Sequence, residues 1–209
     1  MSECSPKISN STFRTITLAL LILAITGCAV QGGAGAALPE LSDWETRTRV
    51  LADLGDWGFK GRIGVSASGE GFNGKLRYYQ DDEDFRATIS GPLGFGTIQI
   101  QGDRQQVTII DKDGEEWLLL DPEVDLQVMY GWTIPVASLR YWALGIPDPA
   151  ELAFIDFDEE GRLTSLEQGN WHIKIVKYRE GGGQSMPRLL TAVSGDNKLR
   201  LVIDNWTFR

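Results

Sequence analysis

Apolar and polar residues alternate along most of the chain from Trp57 onward. In the first alternating segment the apolar face carries Trp57, Phe59, Gly61, Ile63, Val65 and Ala67. A period of two residues is typical of a strand with one buried face. The pattern recurs between turn signals such as Gly102-Asp103 and Asp113-Gly114, which gives eleven candidate strands. The last five lie at residues 152–158, 161–168, 170–178, 187–194 and 198–208. Their connections are too short for parallel crossovers, so the pattern predicts an antiparallel sheet.

Three short segments have helical spacing instead. Residues 41–54 form an amphipathic pattern with Ser42 or Asp43 as its N-cap, and it stops at Gly55. Residues 121–131 begin with Asp-Pro, an N-cap followed by proline at the first helical position. Residues 135–145 run from a proline to a glycine. These segments predict three short helices as covers for the sheet.

The apolar face of the sheet has two interpretations. Helices this short favour an apolar hollow under a helical lid, a shape suited to hydrophobic ligands. A fully packed half-barrel would have the same sequence pattern, so both stay open. The candidates for the cavity lining, each equally compatible with core packing, are Phe59, Ile63, Val65, Leu76, Tyr78, Phe85, Ile98, Leu139 and Trp142.

The N-terminal segment has the order of a signal peptide. Lys7 and Arg14 precede an apolar run at residues 16–25, which is shorter than the roughly 20 residues that span a bilayer. Ile25-Thr26-Gly27-Cys28 resembles the lipobox of bacterial lipoproteins, although an ordinary secretory peptide with a chance cysteine is the alternative. We expect a lipoprotein signal peptide at 1–27, a lipidated N-terminus and flexible linker at 28–40, and a single domain at 41–209. Several acyl chains on Cys28 would anchor the chain firmly to a membrane.

Composition and charge exclude several classes of site. The chain has 209 residues, a net charge of −9, one histidine and two cysteines, Cys4 and Cys28. No disulfide or zinc cluster can therefore form in the body of the chain. The acidic excess argues against a nucleic-acid partner, because phosphate neutralisation needs clustered Lys and Arg. We expect neither a metal nor a cofactor.

No set of residues indicates catalysis. His172 is expected to point to water, because its neighbours Trp171 and Ile173 share the apolar face of their strand. The acidic run Asp81–Asp84 lacks the glycine and bidentate glutamate of a calcium loop, and a solvated hairpin tip is the simpler interpretation. We therefore expect no enzymatic activity.

Residues 91–96 read Gly-Pro-Leu-Gly-Phe-Gly. They place Leu93 and Phe95 between glycines, where a turn ordinarily has polar residues. The segment is not a phosphate loop, because neither a Lys-Ser/Thr pair nor a helix follows. Either Leu93 folds back onto the core, or the segment is an exposed apolar tip of the kind that contacts membranes or partners.

Five motifs in order behind the lipobox resemble the LolB family of outer-membrane lipoprotein receptors. They are Gly61-Arg62-Ile63, Pro92-Leu93-Gly94, Gly131–Pro135, Ser138–Pro147 and Asp204-Asn205-Trp206. The segment ending in Gly-x-Pro is the most specific of them. The sequence departs from the family at Tyr78 and Tyr79, where relatives often have Trp, and this affects the cavity lining more than the role.

The resemblance implies a mainly β fold, an unclosed antiparallel half-barrel of about eleven strands with a short-helix lid over a hydrophobic cavity. It implies a monomer, lipid-anchored on the periplasmic face of the outer membrane, that accepts lipidated cargo proteins from a soluble periplasmic carrier and inserts them without energy input. Leu93, with Pro92, Gly94 and Phe95, would form the membrane-insertion loop. The alternative is an envelope lipoprotein that binds free lipid or acts as a scaffold.

Overall fold

Eleven strands form a single antiparallel sheet in the part of the chain that the structure describes. The structure is a computed structural model and describes residues 36–91 and 96–209. Cys28, the predicted signal peptide and the segment Pro92–Phe95 lie outside the described residues. The strands are β1 (Asp56–Ala67), β2 (Glu70–Asp81), β3 (Asp84–Ser90), β4 (Thr97–Gly102), β5 (Val107–Ile110), β6 (Glu116–Leu119), β7 (Ala153–Phe157), β8 (Leu163–Gln168), β9 (Trp171–Gly181), β10 (Gln184–Ser194) and β11 (Asn197–Phe208).

The order of the strands leaves the sheet open. Across the sheet they run β6-β5-β4-β3-β2-β1-β11-β10-β9-β8-β7. Two meanders, β1 to β6 and β7 to β11, are joined because β1 pairs antiparallel with β11. β6 and β7 are the two edges of the sheet and do not pair with each other. The predicted unclosed, mainly β fold with eleven antiparallel strands is thus confirmed.

Three short helices accompany the sheet, as the spacing predicts. They are α1 (Trp44–Ala52), α2 (Pro122–Tyr130) and α3 (Val136–Leu144). The Asp43 carboxylate accepts a bond of 2.8 Å from the amide of Thr46 and caps α1. Asp121 caps α2 in the same way through the amide of Val124. Each cap satisfies a backbone donor that the first turn leaves free, which fixes where the helix begins.

A close approach of two strands explains the glycine of Gly61-Arg62-Ile63. A Cβ on Gly61 would lie 2.1 Å from the carbonyl oxygen of Val202 on β11. The register shifts at the same place, since Lys60 pairs with Asn205 whereas Gly61 pairs with Ile203. The bulge and the missing side chain let the first and last strands meet at the centre of the sheet.

Helix α3 is part of the core. Every residue from Ser138 to Leu144 is buried, including the polar side chains of Ser138 and Arg140. α1 packs against α3. A helix lying on the surface would keep one face in water, so α3 is embedded more deeply than the sequence pattern indicated.

Three elements differ from their predicted form. β9 and β10 extend to Gly181 and from Gln184, farther into the triple-glycine turn than predicted. Pro187 lies inside β10 at an irregularity in its pairing with β9, a place where a strand tolerates proline. In α2, Val124, Val128 and Met129 follow helical spacing in the sequence, but all three are exposed and Leu126 is buried instead.

Candidate functional site

A small apolar cavity lies between the sheet and the segment leading into α3. Its lining is formed by Ile63, Leu76, Tyr78, Phe85, Ala87, Ile89, Ile100, Ile134, Val136 and Leu139. Its volume is about 20 Å³, close to the space needed by one water molecule. Ligand pockets usually measure about 300–1,000 Å³. In this structure α3 therefore packs against the inner face of the sheet and leaves a space too small for a ligand of that size.

Five of the predicted cavity residues line this space. They are Ile63, Leu76, Tyr78, Phe85 and Leu139. Ala87, Ile89 and Ile100 also line the cavity. They lie with the predicted residues Phe85 and Ile98 on the apolar faces of β3 and β4, so the strand pattern could have indicated them. Ile134 and Val136 come from the segment before and at the start of α3, where no strand periodicity indicated them.

Two of the remaining predicted residues belong to aromatic clusters. The ring of Phe59 lies 5.2 Å from that of Tyr78 and 5.4 Å from that of Trp206. The ring of Trp142 lies 6.0 Å from that of Trp171. Both side chains therefore pack within the core and do not line the cavity.

The last two predicted residues share the correct face but lie at other positions along their strands. Val65 is buried opposite Phe72, whose ring contacts Trp132 at 4.8 Å. Ile98 is half-buried at the start of β4. Periodicity fixes the face of a strand but not the distance of a residue from a cavity.

A buried polar group borders the cavity at Tyr78. Its hydroxyl donates to Oε1 of Gln80, and Nε2 of Gln80 donates to the carbonyl oxygens of Asp82 at 2.8 Å and Asp84 at 3.0 Å. Burial raises the pKa of Tyr78, so the phenol stays protonated. The network satisfies its own donors, so the cavity surface itself remains apolar.

Arg47 holds the C-terminal end of α3. Its Nη2 atom donates to the carbonyl oxygen of Leu144 at 3.3 Å and lies 3.8 Å from the sulfur of Met186. Burial lowers the pKa of Arg47, and the nearby phenol of Tyr178 opposes this effect. A cation at this end interacts favourably with the helix dipole.

Glu83 joins two arginines near the middle of α3. Its carboxylate lies 3.2 Å from Nε of Arg104 and 3.8 Å from Nη1 of Arg140. Arg104 also donates to the hydroxyl of Tyr141, and the Arg140 guanidinium lies 5.0 Å from the centre of the same ring. We name these four residues the Glu83 cluster. The acidic turn at Asp81–Asp84, predicted to be a solvated tip, therefore also contacts α3.

Gln168 fastens the segment that follows α3. Its Oε1 atom accepts bonds from Nε1 of Trp142 at 2.9 Å and from the amide of Asp148 at 3.0 Å. Its Nε2 atom donates to the carbonyl oxygens of Asp148 and Glu151. The Asp148 carboxylate in turn accepts a bond of 3.0 Å from the hydroxyl of Ser138. Polar contacts with Gln168, at the end of β8, thus help to position α3 on the sheet.

Large apolar side chains are exposed at both edges of the sheet. On β6 and α2 and in the link between them they are Leu118, Leu120, Val124, Val128 and Met129. At the other edge they are Leu152, Phe154 and Phe157. Leu120 is 88% exposed and Leu152 is 93% exposed. Single exposed apolar residues are ordinary, but a group at each edge of an open sheet marks surfaces suited to apolar partners.

The remaining candidates for chemistry lie at the surface. His172 is exposed, as predicted, and its Nδ1 atom lies 3.2 Å from the Glu167 carboxylate. Within residues 36–91 and 96–209, His, Cys, Asp and Glu side chains form no group that could hold a metal ion. No helix among the described residues is long and apolar enough to span a membrane.

Comparison with known proteins decides the family. The family model described as "Outer membrane lipoprotein LolB" matches residues 55–206, which include β1 to β10 and most of β11. The chain belongs to the LolB family. The matched range contains the cavity, α3 and the Glu83 cluster.

Individual relatives agree with this assignment. The chain is 31% identical over 130 residues to the outer-membrane lipoprotein LolB of Aeromonas hydrophila, a match that covers 62% of this chain and 66% of that one, just under two thirds. It is 28% identical to the LolB of Chromohalobacter salexigens over 187 residues, 90% of this chain and 87% of the relative. A DUF1329 family protein from Desulfovibrio piger shares the fold alone, with a TM-score of 0.50 at 5% identity over 78% of this chain and 89% of that one.

Proposed function

We propose that this chain is a receptor anchored in the outer membrane that accepts lipoproteins from a soluble periplasmic carrier and inserts them into that membrane. The observation that carries the proposal is the apolar inner face of the sheet beneath α3, with polar contacts at the helix. Such a face can receive acyl chains if α3 moves aside. The closed cavity of about 20 Å³ would then be the cargo-free state.

The energetics of acyl chains favour this role. Each methylene transferred from water to an apolar site contributes about 0.8 kcal/mol, so exposing several long chains would cost tens of kcal/mol. An unpowered transfer must therefore keep the chains covered at every step. An apolar face already covered by a protein helix meets this requirement, because α3 and the acyl chains exchange places.

The anchor and the insertion loop complete the proposed receptor. Cys28 carries the acyl chains that hold the protein at the periplasmic face of the outer membrane. Leu93, flanked by Pro92, Gly94 and Phe95, enters the lipid during insertion. The exposed apolar edges of the sheet provide surfaces on which the carrier docks. The task needs no covalent chemistry and no nucleotide.

A transfer assay tests the proposal. The full chain is reconstituted in phospholipid vesicles and mixed with a carrier loaded with a labelled lipoprotein. We expect label to move to vesicles that contain the chain and to remain on the carrier when the chain is absent. Leu93→Glu should allow the cargo to leave the carrier but slow its insertion. Val193→Glu places the same charge at an exposed apolar residue of β10, away from both edges of the sheet, and should slow neither step. Binding of free phospholipid without any cargo transfer would instead favour the lipid-binding or scaffold alternative.

A further inference from the structure

A basic groove lies on the polar face of an otherwise acidic protein. The chain has 29 Asp and Glu against 20 Lys and Arg. Five basic residues nevertheless line one groove of about 520 Å³, namely Arg62, Lys75, Lys177, Arg188 and Arg200. They belong to the five central strands β1, β2, β9, β10 and β11. Arg62 and Lys75 are exposed while the side chains that follow them, Ile63 and Leu76, are buried, so the basic side chains lie on the opposite face of the sheet from α3.

The strand register places these cations side by side. Arg62 pairs directly with Lys75 on β2 and with Val202 on β11. Val202 pairs with Leu189, which pairs with Lys177 on β9. Like charges directly opposite on neighbouring strands are destabilising. The repulsion between Arg62 and Lys75 therefore opposes the pairing of β1 with β2, and an anion bound between them would relieve it.

The groove combines free cations with an apolar floor. Arg62 has an acidic partner, Asp204, at 3.1 Å. Among the described residues, no carboxylate forms a salt bridge with any of the other four basic side chains. Val202 and Leu189 form the floor, and Gly64 contributes no side chain. The surface is therefore suited to a molecule that is anionic and partly apolar.

We propose that this groove binds the phosphate headgroups of anionic phospholipids and holds the body of the protein on the membrane surface. Membrane attachment usually combines an apolar element with basic residues. This inference rests on the proposed function in one respect, which is that the membrane in contact with the groove is the outer membrane. The apolar floor favours a lipid over an acidic protein as the occupant.

Vesicle flotation tests the groove without any cargo. The full chain with Cys28→Ala, which removes the anchor, is mixed with vesicles of phosphatidylcholine alone or of phosphatidylcholine and phosphatidylglycerol. We expect stronger binding to the anionic vesicles. Lys75→Gln with Arg200→Gln should lower this binding about tenfold or more at low salt, since each basic residue near the surface contributes about fivefold. Binding to neutral vesicles should not change, and the difference should shrink at high salt.

A matched control separates the groove from net charge. Arg49→Gln with Lys112→Gln removes two exposed cations outside the groove and should leave binding to anionic vesicles nearly unchanged. Equal losses in both double variants, or no loss in the groove variant with an unaltered melting temperature, would overturn the proposal. Loss of carrier binding with full retention of vesicle binding would show a protein-docking surface and also overturn it. Failure of cargo transfer with intact groove-dependent binding would overturn the proposed function alone.

Discussion

Arg47 contacts the end of α3, and its burial removes a charged guanidinium from water. Its guanidinium is buried, and the contacts it makes are a carbonyl oxygen at the end of α3 and a methionine sulfur. Neither is a carboxylate, and removing a cation from water is costly unless a full charge compensates it. The favourable term is the interaction with the helix C-terminus, which is lost when α3 moves away. If α3 moves aside as the proposed function requires, Arg47 therefore favours the position of α3 seen in this structure over the open one.

The variant Arg47→Met separates the closing role of this residue from overall stability. Methionine relieves the desolvation of the cation, so we expect the free energy of unfolding to change by less than about 1 kcal/mol. Binding of a fluorescent fatty-acyl probe should rise about tenfold, because a hydrogen bond from a charged donor contributes about 1.5 kcal/mol to the closed state. Chemical denaturation and probe titration give the two values. Arg49→Met, on the exposed side of α1, is the control, and equal probe affinities in both variants would contradict the closing role.

A side chain at Gly145, where α3 ends, would be unfavourable for two reasons, the backbone conformation and a contact with Pro187. The two effects can be measured separately. The φ of Gly145 is 77°, and a Cβ there would lie 2.8 Å from Cγ of Pro187. Gly161 has a similar φ of 72° but open space around the position. We expect Gly161→Ala to lower the free energy of unfolding by about 1 kcal/mol through the backbone alone. Gly145→Ala should lower it by about 2–4 kcal/mol, because the contact with Pro187 adds to the same backbone term. Equal losses in denaturant titrations would mean that the contact has no effect.

At the scale of elements, the sequence predicted those strands and helices whose formation depends on residues close together in the chain. The alternation around Ile63 and the caps at Asp43 and Asp121 depend on near neighbours in sequence, so strands and helices appear close to their predicted bounds. The pairing of β1 with β11 depends on residues far apart in the chain, and no local pattern specifies it. The contact of Glu83 with Arg140 was not predicted for the same reason. The sequence of an acidic turn predicts exposure to water and does not show whether a distant arginine lies close to it.

The Glu83 cluster should control the opening of α3 with little effect on global stability. Glu83 is itself largely exposed, and exposed ion pairs contribute about 0.2–1 kcal/mol. We expect Glu83→Gln to lower the hydrogen-exchange protection of α3 amides about two- to fivefold, with the melting temperature nearly constant. Glu160→Gln removes a comparable pair with Arg162 in the β7–β8 turn and should leave α3 protection unchanged. A uniform loss of protection across the sheet would show that the cluster stabilises the whole fold.

At the scale of the whole molecule, the sheet separates two kinds of surface. Its inner face is apolar and covered by α3, and its outer face carries the basic groove. Strand alternation imposes this division, since Arg62 and Ile63 are neighbours in sequence and lie on opposite faces. In the proposed role the inner face would hold acyl chains while the outer face contacts headgroups. The sequence could predict the two faces, but the depth at which α3 packs depends on side-chain volumes that a pattern of polarity does not contain.

In the proposed role, the small size of the cavity implies that α3 moves when an acyl chain binds. A space of about 20 Å³ cannot hold a ligand that needs a pocket of about 300 Å³ or more, so the chain must replace the contacts of Leu139 and Val136 with the sheet. Saturation with a long-chain acyl ligand should therefore lower the hydrogen-exchange protection of α3 amides, while amides in the β1–β11 pair keep theirs. Ligands with shorter acyl chains, which bury fewer methylenes, should lower the protection of α3 less. If the ligand binds stoichiometrically and the protection of α3 rises, the acyl chain binds beside the helix. The proposal that acyl chains displace α3 would then be wrong.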